Sequence, residues 1–592
     1  MLGWALVELL CMPRFGLRHN LLGAVFVALT VTACSSGGSD SGGEAGTAGV
    51  VFDENSPTAV KSVAAASGFL SRATFGAAPE EADALNGSDQ TSWLRREISK
   101  PATLYLPPLN NMAANGDKLP NKAHSDLFWD AMVGADDQLR QRVMFALSQI
   151  IVVSDQSINN RPRAMAYYMD ILSRNAFGNY KTILEEVTYS PAMASYLTYK
   201  GNRKGDEKSG RMPDENYARE LLQLFTIGLV ELNMDGSVKL GSGGEPIETY
   251  TNQDVTNLAR VFTGLSVRAD NIWGKNAVED AYFRPLQTFP DEHSPLDKNF
   301  LGTTIAGGLP PHETISQSLD HIFAHPNLAP FISRQLIQRL TASHPEPAYI
   351  SRVATAFETG TYRAQNGVSF GRGERGDLEA TIAAILLDES LVNEPTEVAS
   401  IASGKVREPI LRFVHWARAF NVSSIDASNE KNLRDTGDPG RSLGQHPLRS
   451  PSVFNFYRPG YVAPGTETGA RSLTAPEFQL VNESSVVGYV NFMTRFVRNE
   501  EWRWKDRDRP TYVPDYSREI ALADDPAALV SHLDDLLMGG RMSQVTRDRI
   551  EEVMLEIPLR MDDPEDLAED RLSRVHVAVT MAITSPSFIV QR

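Results

Sequence analysis

The chain has 592 residues, with 57 Lys and Arg against 74 Asp and Glu, a formal charge of −17, and only two cysteines, Cys11 and Cys34. So acidic a protein is a poor match to nucleic acid, teichoic acid or lipopolysaccharide phosphates. Because no cysteine follows Cys34, disulfides, thiolate metal sites and a cysteine nucleophile are excluded downstream, and stability there rests on core burial.

The N-terminus offers two starts, and the stretch from Met12 is the better secretory signal, with Arg14 and Arg18 ahead of the apolar run Leu21 to Val31. That run is too short to span a bilayer stably. It ends in Val31-Thr32-Ala33-Cys34, which resembles a bacterial lipobox, with Cys34 as the lipidated residue. Residues 1–33 are thus expected to be removed, taking Arg14, Arg18 and Glu8 with them and leaving a formal charge of −18, from 55 basic and 73 acidic residues. Residues 34–58 contain SSGGSDSGGEAGTAG, a flexible Gly/Ser tether of roughly 20 residues that would reach about 25 Å from the membrane. Ser35 after the anchor favours the outer membrane over inner-membrane retention, so the expected location is the cell envelope, lipid-anchored and on an unspecified face. No later segment is apolar enough to cross a membrane, and the lipid is the only membrane contact expected.

Residues 59–592 are dominated by a helical period. LRQRVMFALSQIIVV (139–153) is nearly apolar after its first turn and predicts a buried helix. Further helices are predicted over 168–177, over 179–197 with a break at Pro191, and over 251–263, where Thr251 and Asp254 form a capping-box pattern. Others follow at 314–324, 328–341, 347–358, 377–388, 405–420, 475–497, 526–538, 543–555 and 567–583. The strand-like exceptions are ELNMDGSVKL (231–240), with Asp235-Gly236 as its turn, and IETY (247–250). The expectation is a mainly α, multi-helix globular fold with a small β-hairpin insertion near 231–250 and two long loops, 270–312 and 422–474, of a kind that is often functional. No fixed-period repeat occurs.

FLSRATFG (69–76), PDENYARELLQLFTIGL (213–229) and HPNLAPFISRQLIQRL (325–340) resemble the bacterial domain of unknown function 1800 family. LRQRVMFALSQIIVV, YTNQDVTNLARVFTGL (250–265), KVREPILRFVHWARAF (405–420), SPSVFNFYRPGY (450–461) and SPSFIVQR (585–592) extend the resemblance in the family's order. It implies an exported protein with no assigned reaction, and a possible protein partner of the domain of unknown function 1501 family, often encoded beside it. Where the family pattern has an acid beside a histidine, EHSPLDKNFLG (292–302) has Ser294 after His293, which weakens His293 as an oriented base.

On a helical wheel, Tyr217, Ala218, Leu221, Leu222, Leu224 and Phe225 share one arc, and Glu215, Asn216, Arg219, Glu220 and Gln223 the other. Glu215 with Arg219 and Asn216 with Glu220 are i,i+4 neighbours, which an ordinary solvated face also explains. Two carboxylates flanked by Arg and Asn suit split acid and base roles, or oxygen ligation of a hard cation. Glu215, Glu220 and His293 are therefore the catalytic candidates, and Asn216, Arg219 and Lys298 the substrate-binding ones, the last joining if the 270–312 loop folds over the helix. No metal ligand is assigned: Asp320, His321 and His325 lack the Glu of a zinc-protease helix and run into Pro326. GRGERG (371–376) matches a dinucleotide fingerprint but has no βαβ context and reads as a loop entering a helix capped by Asp377. FNFYRPGY (454–461) reads as loop packing rather than sugar binding. No G-x-S-x-G elbow, Walker loop or H-E-x-x-H occurs, and no cofactor is specified. Two functions follow: an envelope hydrolase or transferase acting on an extracytoplasmic polymer or small molecule, or a non-catalytic scaffold or chaperone-like partner of a co-exported protein.

Overall fold

The Gln138–Ser148 helix has every residue buried, including Arg140, Gln141 and Arg142, so it is the axis around which the other helices lie. It packs on the Ala123–Gly134, Pro162–Arg174 and Leu328–Leu340 helices, in a computed structural model that describes residues 53–158, 161–391, 404–424, 433, 435–499 and 512–592. The signal, Cys34 and most of the 34–58 linker lie outside the described residues, as does part of the 422–474 loop.

The architecture is mainly α, with only short two-stranded pieces among the described residues. Most predicted helices are present, started by the signals their sequences carry. Pro stands in the first turn of Pro162–Arg174, Pro311–Phe323, Pro347–Thr359, Pro409–Ala419, Pro526–Met538 and Pro564–Thr584, where its missing N–H costs nothing. Thr251 and Asp254 form the reciprocal capping box of Asn252–Ala259. Asp377 caps Leu378–Leu386 through the Ala380 N–H at 3.0 Å, so GRGERG is a helix-entry loop. No described helix is long and apolar enough to cross a membrane.

One helix is shorter than expected. The predicted helix at 405–420 starts only at Pro409, because the residue before proline is driven to extended geometry, and Lys405–Val406 is a strand instead. That strand pairs antiparallel with Val590–Gln591, so the closing segment is sewn into the core rather than left as a tail. At the other end Val63–Ala73 packs against Pro526–Met538, bringing the two ends of the described domain together.

The insertion near 231–250 is more closed than a hairpin. The Glu231 N–H donates to Ile247 O (2.8 Å), Ile247 N–H to Lys239 O (3.2 Å) and Lys239 N–H to Glu231 O (2.8 Å), so three short segments form a triangular knob. Gly236, at φ 74°, makes the turn after Asp235. Within the 270–312 stretch, Lys298–Phe300 and Thr303–Ile305 form a hairpin that packs on Asn252–Ala259.

Candidate functional site

The 213–229 segment begins in a polar loop. Asp214 accepts hydrogen bonds from the Asn216 N–H (2.9 Å) and the Thr198 hydroxyl (2.9 Å), while its own N–H donates to Asn202 Oδ1 (2.9 Å). Asn216 Nδ2 turns to Thr198 Oγ1 at 3.5 Å, away from its i,i+4 neighbour. Asn216–Glu220 makes little more than one α-turn before the helix widens into a π-turn over Leu221–Thr226. Such turns are uncommon and cluster at functional sites. Tyr217 anchors the segment, its ring 4.3 Å from Tyr199 and 4.7 Å from Phe262 between centroids.

The two carboxylates fare differently. Glu215 is about one-third exposed and fully engaged, accepting from Arg219 Nη2 at 3.2 Å and from the Thr256 hydroxyl at 2.7 Å, while Arg219 also donates to Asn252 Oδ1 at 3.3 Å. Glu220, on the arc the wheel assigns to solvent, is only 8% exposed, and its Oε2 has no hydrogen-bond partner. Burial pushes the Glu220 carboxyl above the ordinary carboxylate range, with Arg219 opposing. Five residues apart on a helix, the two groups leave the axis about 140° apart.

Two tyrosines from separate segments feel the Glu220 charge. Tyr196 and Tyr250 are both pushed up to about 12, chiefly by burial, with the Glu220 carboxylate as a further influence on each. Tyr196 also faces Ser450, which lines a small cleft of about 10 Å³ with Gln149, Leu448 and Asn455. Gln149 Oε1, Ser450 Oγ and Asn455 Nδ2 are buried there without partners, and the volume matches about one water. Leu448 (φ 57°) and Asn455 (φ 61°) hold the left-handed backbone region that non-glycine residues seldom occupy.

His293 and Lys298 lie across the Asn252–Ala259 helix from Glu215, which Thr256 reaches from one side. On the other, Asp254 Oδ1 accepts the Leu301 N–H (2.8 Å), and just past the helix Arg260 donates to Asp297 O (3.2 Å). Among the described residues no hydrogen bond or ion pair joins Glu215 or Glu220 to His293 or Lys298. Both imidazole nitrogens are occupied: Nδ1 lies 2.9 Å from Thr263 O, which requires it to donate, and Nε2 lies 3.3 Å from Thr314 Oγ1. Burial lowers the His293 pKa, the Thr263 bond opposing and Lys298 adding to the fall. Lys298 is 0% exposed and donates to Ser294 O at 3.0 Å, pinning the loop; burial lowers its pKa too. Asp320, His321 and His325 diverge to Lys181, Leu301 O and the Asn327 N–H respectively. No group of three or more potential metal-binding side chains converges among the described residues.

A second buried centre lies where sequence reasoning expected plain helix. Glu408, 0% exposed, accepts from Gln149 (2.6 Å), Gln445 (2.5 Å) and the Tyr457 hydroxyl (2.7 Å), with Lys405 Nζ at 3.8 Å. Lys405 pairs with Glu477, which also accepts from Ser343 Oγ at 2.8 Å. Arg142 and Arg339 lie against it: burial pushes Arg142 down to about 10, Glu408 opposing. Four of the segments that carried the resemblance, 139–153, 325–340, 405–420 and 450–461, thus meet at one ionic core. The available signal was charge inside otherwise apolar helices, above all Arg142 and Arg339.

The fold and these centres define a helical protein in which Glu408 is hydrogen-bonded by three donors and Glu220 has an oxygen with no partner. Residues 68–590 match the family model described as "Protein of unknown function (DUF1800)", and the chain belongs to that family. Neither the curated proteins nor the solved structures contain a significant match to it.

Proposed function

We propose that this chain is an enzyme of the cell envelope, a hydrolase or transferase acting on an extracytoplasmic polymer or small molecule, with Glu220 as its general acid. The observation that carries the reading is the Glu220 carboxyl itself, buried and with an unpartnered oxygen. A carboxyl whose pKa is raised by burial is a better proton donor than an exposed one and can deliver a proton to a leaving group. Tyr196 and Tyr250 feel the Glu220 charge, and the cleft at Ser450 and Asn455 has polar groups suited to holding a water. Arg219 and Asn216 contribute by orienting the turn that carries Glu220. Glu215, saturated by Arg219 and Thr256, suits positioning better than proton transfer, and His293 and Lys298 suit loop anchoring.

The test is complementation of a deletion strain by the full chain. Glu220→Gln is expected to abolish rescue while the protein accumulates normally, and Glu215→Gln to retain most of it. Full rescue by Glu220→Gln would sink the reading. The envelope location rests on the lipobox-like segment, and Cys34→Ala should abolish incorporation of labelled palmitate.

A second reading, a scaffold for a co-exported protein such as a domain of unknown function 1501 partner, is favoured by one feature. The 229–249 knob exposes Leu229, Val238 and Leu240, at 56%, 40% and 60%. Large exposed apolar groups gathered in one place mark interaction surfaces. Glu220→Gln would leave that role intact, so the same complementation experiment separates the two.

A further inference from the structure

The first part of the long 270–312 stretch is a braced turn. Leu265–Ser266 pairs antiparallel with Gln287–Thr288, the Val278 N–H donates to Arg268 O (3.1 Å) and the Asp270 N–H to Lys275 O (3.0 Å). Inside the turn Asn271 Oδ1 accepts from the Trp273 and Lys275 N–H groups (3.1 and 3.2 Å), and Asn276 Nδ2 donates to Asp270 Oδ2 (2.7 Å). Gly274 and Asn276 take the positive φ that so tight a reversal requires, 80° and 52°. At the tip stands Trp273, 68% exposed, whereas Trp93, Trp129 and Trp416 are at most 7% exposed.

Three aromatic rings of this stretch share one arrangement. The Arg203 guanidinium lies 4.8 Å from the Trp273 ring centre, that of Arg161 3.4 Å from Tyr282 and that of Arg163 4.2 Å from Phe283. Arg203 is itself held by Glu292 at 2.7 Å. A cation on one face fixes the orientation of a ring, and the exposure of Trp273 leaves its opposite face open. At the base of the same turn lies a cavity of about 390 Å³, within the usual range of small-ligand sites. Its polar lining is Arg268, Asp270, Asn276, Asp280 and Gln287, set around two apolar side chains.

An indole held rigidly in water sacrifices apolar burial, and the cavity beside it is too polar to favour an apolar ligand. Carboxylate, carboxamide and guanidinium groups each present paired polar atoms in one plane, which match adjacent hydroxyls on a sugar ring. The same ring has a C–H face that lies flat on an indole. Two carboxylates in the lining, Asp280 being paired with Arg284, disfavour phosphate-bearing chains.

We propose that this turn and cavity form a saccharide-binding site for an uncharged glycan chain, with Trp273 as the stacking platform and Asp270, Asn276, Gln287 and Arg268 bonding the ring hydroxyls. The site is independent of the role proposed for Glu220.

The test is calorimetric titration of the full chain with maltotetraose, cellotetraose and N-acetylated chitotetraose. Saturable binding of at least one is expected, and the tightest of the three identifies the glycan backbone preferred. Trp273→Ala should weaken that binding by about tenfold, the scale of losing one stacked aromatic face. Gln287→Ala should weaken it by about threefold to tenfold, the loss of one or two hydrogen bonds. Neither side chain is needed for the fold, because Trp273 is exposed and Gln287 pairs through its backbone, so both variants should melt with the wild type. Absence of saturable binding to all three sugars, as for a surface that serves a protein partner instead, would overturn the proposal, and so would wild-type affinity in either variant.

Discussion

Glu220 and Glu408 are both carboxylates buried inside a helical protein, yet their surroundings differ in kind. Glu408 has three hydrogen-bond donors within 2.7 Å and a lysine at 3.8 Å, whereas Glu220 has an oxygen with no partner. A buried charge that is paired and saturated holds several segments in register, and removing it strands its partners. One left unsatisfied destabilises the native state, and such a group persists where its proton has a use.

The largest effect should come from breaking the saturated centre. Glu408→Gln removes the anion that faces Arg142 and Arg339 and leaves Lys405 with Glu477 alone; it is expected to cost about 3–5 kcal/mol, read as a lower denaturant midpoint. If it costs less than Tyr457→Phe, the ionic core is not the organising centre described above. Tyr457→Phe removes one hydrogen bond to Glu408 and should cost about 1–1.5 kcal/mol in the same measurement.

Glu220→Gln should move the other way, stabilising by about 1 kcal/mol near neutral pH, the scale of relieving one unsatisfied buried group. The sign follows from linkage. A carboxyl whose folded pKa is raised binds its proton more tightly when folded, so its contribution to stability is complete below the unfolded value of 4.5 and is lost as pH rises through the folded value. The stability advantage of Glu220→Gln over wild type should therefore grow across that window, and unfolding curves collected at about pH 4 and about pH 8 would reveal it. An advantage independent of pH would mean that the native pKa is not raised above the unfolded value.

The smallest effect is expected at Glu215. Its pair with Arg219 is more than one-third exposed on both sides, so Glu215→Gln should change stability by less than about 0.5 kcal/mol.

Helical periodicity and caps made much of the fold legible. Thr251, Asp377 and the first-turn prolines act locally, through their own N–H groups and φ angles, so their effect is written within four residues of themselves. The i,i+4 pair of Glu215 and Arg219 was legible for the same reason. Glu220 was not, since a wheel describes one helix and the burial of Glu220 is imposed by segments packed against it. Nor was the strand at Lys405–Val406, which exists because Val590 and Gln591 pair with it from the far end of the chain.

Sequence by itself determined the acidic balance, the absence of cysteine after Cys34, the family, the mainly α class and most helix starts, because composition and local sterics suffice for each. Only the tertiary structure decided which charges are buried together. The assembly of Glu408, Lys405, Glu477, Arg142 and Arg339, the burial of Glu220, and the engagement of His293 and Lys298 with partners other than Glu220 all depend on long-range packing. Desolvation and Coulomb energies follow distance in space, which spacing along the chain does not encode.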